Sequence, residues 1–87
     1  MNNTIQIFEN KEFGNIRTMR DEKGEALFCA KDVCDALGYD QTHKAVKRHV
    51  EEGDGTKRPL IDSLGREQQA IFINESGLYS LILSSKL

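Results

Sequence analysis

Tryptophan is absent from this sequence, proline occurs once and cysteine only twice. Cys29 and Cys34 are too few and too close together to form a disulfide framework. They also lack the CxxC spacing that tunes a thiol for exchange chemistry. Both read as small apolar fillers in a reducing cytoplasm. No apolar run approaches the roughly 20 residues of a membrane span. The opening MNNTIQIFEN lacks the basic-then-apolar order of a secretory signal. A dominant charge sign is missing too: 12 Lys and Arg face 14 Asp and Glu, for a net charge of −2. That balance excludes coating of nucleic acid by the whole surface. It leaves room for a local patch, because salt screens each charge beyond roughly 8–10 Å.

Chemistry-bearing constellations are equally scarce. His43 and His49 stand six apart, so they fall on different faces of one helix and cannot share a metal. No third ligand of suitable spacing accompanies them. Asp32 and Asp35 lie beside Lys31 and read as solvated. Ser63 and Ser76 have no recognisable general base nearby. Gly53-Asp54-Gly55 lacks the Lys-Ser/Thr that completes a phosphate loop. The expectation is a protein with no catalytic residues, no metal and no cofactor.

What is present is enough apolar material, 38% of residues, for one modest core. A single domain over residues 1–87 is expected, without repeat, linker or low-complexity tract. Thr4 to Phe8 alternates and reads as a strand, followed by a turn at Glu9-Asn10-Lys11. Phe13 to Met19 and Glu25 to Cys29 form a hairpin around Asp21-Glu22-Lys23-Gly24. Lys57 to Asp62 and Gln68 to Ile73 form a second hairpin around Ser63-Leu64-Gly65-Arg66. Pro59 places the first of these two strands at an edge or at its own start. Asn74 caps a last helix from Glu75 to about Ser84, with Leu78, Leu81, Ile82 and either Ser85 or Leu87 on its buried face. Ending on so apolar a helix, the chain reads as truncated at its C-terminal end. The fold class is α+β: two hairpins or a small antiparallel sheet, a helix-turn-helix-like pair and a C-terminal helix.

That pair occupies Phe28 to Val50. Ala30, Val33, Cys34 and Leu37 make one apolar stripe on a helix that ends at Gly38. Asp40 is placed to cap the next helix. There, Thr42, Ala45, Val46, His49 and Val50 share one face, with His49 half-buried. Lys44, Lys47, Arg48 and Glu51 share the other. Each of the three cations could neutralise a phosphate, and Arg48 could read a guanine edge. Gln41 and Thr42 stand where a recognition helix meets bases, and a protonated His43 could meet a phosphate. Lys57 and Arg58, or Arg17 and Arg20, would extend the patch. The alternative for all these charges is an ordinary solvated surface. The acidic, glycine-rich Glu51 to Gly55 reads as a mobile loop that opposes binding.

The opening IQIFENKEFGNIRTM, then GEALFCAKDVCDALGY, KAVKRHV and TKRPLIDSLGREQQAIFINESGLYSLILSSKL, resemble the Bro-N domain in order and spacing. This is the N-terminal module of prophage antirepressors and baculovirus repeated-ORF proteins. The resemblance covers nearly the whole chain, and FINESGLYSLILSSKL is its most distinctive phrase. It implies a DNA-binding domain of a transcription regulator in the cytoplasm of a bacterial host. Double-stranded DNA would be the partner, held from Gln41, Thr42, His43, Lys44, Lys47, Arg48, Lys57 and Arg58. The rival reading is a protein-interaction module that binds a phage repressor or forms a homodimer.

Overall fold

The computed structural model describes residues 6–10, 14–61 and 63–85. Elements follow in the order β1 (Gln6–Asn10), β2 (Gly14–Arg20), β3 (Ala26–Cys29), α1 (Ala30–Leu37), α2 (Thr42–His49), β4 (Gly55–Ile61), β5 (Glu67–Ile73) and α3 (Glu75–Ser84). A single 3-10 turn, Glu52–Asp54, leads into β4. The fold is α+β. Its five strands form one antiparallel sheet in the order β1-β2-β3-β5-β4. Pro59, which has no N–H to offer a ladder, lies on the edge strand β4.

The two faces of the sheet build two cores. On one, Ile73 packs with Ala30, Val33, Cys34 and Leu37 of α1, Ala45 of α2, Val50 and Leu81 of α3. On the other, Phe72 packs with Met19, Leu27 and Cys29, flanked by Leu60 and Ala70. No described helix covers this second face. It is closed by the sheet itself: β3 joins β5 through only two pairs, Phe28 with Ile73 and Cys29 with Phe72. The Glu22 carboxylate in the β2–β3 turn reaches Arg58 on β4 at 3.2 Å. The two hairpins therefore fold toward each other over that core.

The helix pair forms as the stripe predicts. All four stripe residues of α1 are buried. Gly38 takes a φ of 86°, and the chain ends the helix in a Schellman arrangement: Tyr39 N–H donates to Cys34 O and Gly38 N–H to Asp35 O. Burial pushes the Cys34 thiol up from its ordinary value, which suits a filler rather than a nucleophile. Asn74 Oδ1 accepts from Gly77 N–H at 2.9 Å and caps α3 as expected.

Several expectations change. Glu9 and Asn10 belong to β1, because they pair with Asn15 and Gly14 instead of turning. Asp40 does not cap α2: the helix begins at Thr42, its flanking residue is Gln41, and no side chain caps it. Ile82 is 42% exposed, not buried; Leu81 and Gly77 fill the inner face of α3. The acidic loop is pinned rather than loose. Asp54 O accepts from Asn74 N–H, and Asp54 Oδ1 accepts from Asn74 Nδ2, both at 3.0 Å. The expected roles of Thr4, Ile5, Lys11, Phe13, Asp62 and Leu87 lie outside the described residues.

At Gly77, α3 packs closely against the rest of the protein. A Cβ there would stand 3.0 Å from Ile73 Cβ and 3.1 Å from Val50 Cγ1. Alanine gains about 1 kcal/mol in helix propensity over glycine, but overpacking a tight core costs about 1–3 kcal/mol. Gly77→Ala should therefore lower stability by about 1 kcal/mol on balance. Urea denaturation of the variant measures this; an unchanged or raised midpoint would mean that the core yields.

Candidate nucleic-acid interface

α2 presents its two faces as the sequence reading has them. Ala45 and the following Val50 are buried, and Thr42, Val46 and His49 are half-buried. Lys44, Lys47 and Arg48 are exposed. The cations of its last turn also favour the negative end of the helix dipole, worth about 0.3–1 kcal/mol on a surface.

Lys44, Lys47 and Arg48 line one open groove of about 600 Å³, together with Tyr39, Asp40, Gln41, Ala45 and His49. One wall is aromatic. The Tyr39 ring lies 5.7 Å from the His49 ring, and its hydroxyl donates to Leu81 O at 2.8 Å, which fixes the ring against α3. Desolvation holds the Tyr39 hydroxyl above its ordinary pKa, so it stays a donor at neutral pH. Asp40 is the one carboxylate in the lining. Sequence reading missed Tyr39 and His49 as parts of this site. The signal available was the short turn after Gly38, which returns Tyr39 alongside the end of α2.

A second depression, of about 530 Å³, joins α2 to the sheet edge. Lys47, Val50, Gly55, Thr56, Lys57 and Ile71 contribute to it, and so do Glu51 and Glu52. Lys57 and Lys47 thus line the same depression. Glu51, which shares the cationic face of α2, and Glu52 stand among these cations.

Other candidates diverge. Arg58 follows the strand alternation to the opposite sheet face and pairs with Glu22. Thr42 is half-buried on the inner face of α2, where its side chain acts on the Cys34 thiol and opposes the effect of burial there. His43 is exposed but contributes to neither depression. Arg20 is spent on Gly24 O at 2.7 Å. Arg17 makes a two-pronged contact with Asp32, from Nε at 2.8 Å and Nη2 at 2.9 Å, and its backbone N–H adds a third bond. Asp32 is therefore not a solvated acid. Among the described residues, Lys44, Lys47, Arg48 and Lys57 have no carboxylate within 4.0 Å.

The fold and site thus define a small α+β domain with an unpaired cationic helix face. The sequence pattern of the BRO family, N-terminal domain, matches residues 15–87, and the chain belongs to that family. An uncharacterized protein of Haemophilus influenzae is 41% identical over 99% of this chain and 43% of its own length. Two proteins of Invertebrate iridescent virus 6, the putative Bro-N domain-containing proteins 289L and 201R, are each 36% identical. Those matches cover 68% and 71% of this chain, and 18% and 19% of the viral proteins. The chain therefore spans less than half the length of these relatives. No solved structure matches the chain. Among the described residues no group of His, Cys, Asp and Glu could hold a metal, and no helix is long and apolar enough to cross a membrane.

The Arg17–Asp32 pair is structural and can be tested as such. Burial opposes the charged carboxylate, but the bonds from Arg17 outweigh it and hold Asp32 below its ordinary value. The unfolded state then takes up the proton first. The pair's contribution is complete above the unfolded value of about 3.9 and is lost as pH falls through the lower folded value. Asp32→Asn should cost about 1–2 kcal/mol at neutral pH, discounted for the half-exposed arginine. Thermal melts from pH 7 downward should show the gap to wild type closing below about pH 4. A gap independent of pH would refute the assignment.

Proposed function

We propose that this chain is the DNA-binding domain of a phage- or prophage-type antirepressor regulator. It would hold double-stranded DNA chiefly through phosphate contacts from α2. One observation carries the reading. Arg17, Lys31 and Arg58 each have a carboxylate partner, whereas among the described residues Lys44, Lys47 and Arg48 have none within 4.0 Å, although Asp40 lines their groove. Unpaired cations can release the counterions of DNA on contact, with no internal ion pair to break first. The uncapped start of α2 adds free backbone N–H groups, which suit an anion. Gln41 stands at that start, exposed. Arg48 is the residue in the groove whose planar fork matches a guanine edge. Membership of a family whose viral members carry the Bro-N name supports the same reading. No catalytic role is proposed for any residue.

A second reading has one observation of its own. Tyr79 is 56% and Leu83 85% exposed on α3, beside the half-exposed Ile82. Such side chains suit a repressor or a second copy of the chain. DNA binding predicts retention on heparin and elution by moderate salt. The protein-interaction reading predicts neither and predicts a co-purifying repressor.

Lys47→Ala and Arg48→Ala should each weaken binding to a mixed-sequence duplex. Each should also reduce the slope of log affinity against log salt by about 0.9. Stability should stay within about 0.5 kcal/mol of wild type. Unchanged affinity at low salt would show that α2 is the wrong surface. Asp40→Asn should act in the opposite sense. It removes the one carboxylate from the groove lining, so affinity should rise at low salt and the gain should fade as salt screens it. A loss of affinity would mean that Asp40 accepts a bond from the ligand.

A further inference from the structure

β4 is an edge strand, paired with β5 on one side and with no other described strand. An open edge offers unpaired N–H and C=O groups to another chain, and natural sheets blunt it with proline or cover it. Pro59 blunts the outer part of this edge. Nothing of the kind stands at Gly55 to Arg58. Among the described residues, the backbone there has no bond outside the ladder with β5. The end of α2 lies across from this stretch and leaves a depression of about 530 Å³ between helix and strand. Val46, Val50 and Ile71 supply its apolar lining, and Val46 and Ile71 are only half-buried. A helix end and an unpaired strand edge thus flank one trough with an apolar floor.

Gly55 has no conformational reason to be glycine. Its φ of −121° and ψ of 147° are ordinary strand values, and a Cβ there would meet nothing nearer than 4.0 Å. Glycine in a strand often marks the close approach of another backbone. Here it leaves the trough open beside Val50. The charges around it are ordered. Gly55 and Lys57 lie on the helical face of the sheet, as their partners Ile73 and Ile71 do. Glu51 and Glu52 precede Gly55, and Lys47 joins Lys57 in the lining. Read along the chain into β4, the lining is acid, glycine, cation. An antiparallel strand laid on this edge meets that order in reverse, with alternate residues turned to the trough. It would place an acid opposite Lys57, an apolar residue opposite Gly55 and a cation two positions further on, toward Glu52.

We propose that this trough takes an extended segment of a partner protein, which adds to β4 at Gly55 to Arg58 as a short antiparallel strand. The segment carries the pattern acid-x-apolar-x-cation. Strand addition to an exposed edge is an established mode of peptide recognition, in which main-chain bonds give affinity and pockets for alternate side chains give specificity. Asp54 is held to Asn74, so the acidic end of the trough is in place before the segment arrives. This surface shares no residue with the exposed strip of α3, and its role is independent of what α2 binds.

Titration of the isotope-labelled chain with the capped peptide Ser-Glu-Thr-Ile-Thr-Lys-Ser, followed by amide chemical shifts, tests the trough. Shifts should move saturably at Val46 to Glu52 and at Gly55 to Arg58, and stay in place at Tyr79 and Leu83. The reversed order Ser-Lys-Thr-Ile-Thr-Glu-Ser should bind about tenfold more weakly, since both rim pairs become repulsive. N-methylation along the centre of the first peptide should abolish binding, because it removes the main-chain donors. Gly55→Val fills the trough with a side chain that suits a strand and should weaken binding about tenfold. Lys57→Glu changes one exposed side chain and should erase the preference between the two peptide orders. Absence of shifts at about 1 mM peptide overturns the proposal. Equal binding of the two orders by wild type, binding that survives N-methylation, or shifts centred on α3 overturn it too. Sedimentation of the free proteins adds one more outcome: self-association lost in Gly55→Val would make the occupant a second copy of this chain and sink the partner segment.

Discussion

Two adjacent residues, Phe72 and Ile73, hold the protein together. Strand alternation sends them to opposite faces of β5, and each is fully buried. Ile73 anchors the core under the helices and Phe72 the core between the hairpins. The same two residues make the only pairs between β3 and β5. Full burial of such a side chain is worth about 1.5–3 kcal/mol, a large share of a small domain's margin. Neither core can loosen without loosening the junction on which the other depends. The narrowness of that junction has a second consequence: it leaves most of β5 free to run outward with β4 as a two-stranded arm.

The burial pattern also sorts the charges. Arg17 and Arg58 lie on the face of the sheet that closes over Phe72, and each is fixed by a carboxylate brought from another element. A half-buried guanidinium must be paired, because desolvating it alone is costly. α2 lies on the outer side of the helical layer, where Lys44, Lys47 and Arg48 need no partner to remain charged. Ion pairing is thus a marker of structural cations here, and its absence a marker of available ones. A mildly acidic chain can present a cationic groove in this way, because, Asp40 apart, the acids are used elsewhere or sit one depression further along.

Local periodicity made the helices legible. The stripe of α1, its stop at Gly38, the two faces of α2 and the Asn74 cap could all be read from spacing, because each depends on residues within one or two turns. Strands and charges were less legible for a different reason. The availability of Arg17 or Arg58 depends on Asp32 and Glu22, which are 15 and 36 positions away. No local rule assigns such partners. Asp40 shows the limit from the other side: its type suits a cap, but α2 starts one residue too late for it to act as one. Alternation placed Lys57 and Arg58 on opposite faces, which adjacency in sequence alone already implies. Only the location of the helical layer says which of them accompanies α2.

The loop after α2 was the least legible stretch and is structurally the most consequential. Two glycines and three acids suggest mobility, but Asn74 holds Asp54 by both backbone and side chain. The same Asn74 caps α3 through Gly77, and Gly77 admits Val50 and Ile73 because it has no Cβ. One residue thereby couples the end of α2, the start of β4 and the start of α3. Lys47 and Lys57, which line one depression, lie on either side of that latch. An ordered loop has already lost the entropy that a mobile one would lose on binding, so this spacing is fixed before any ligand arrives.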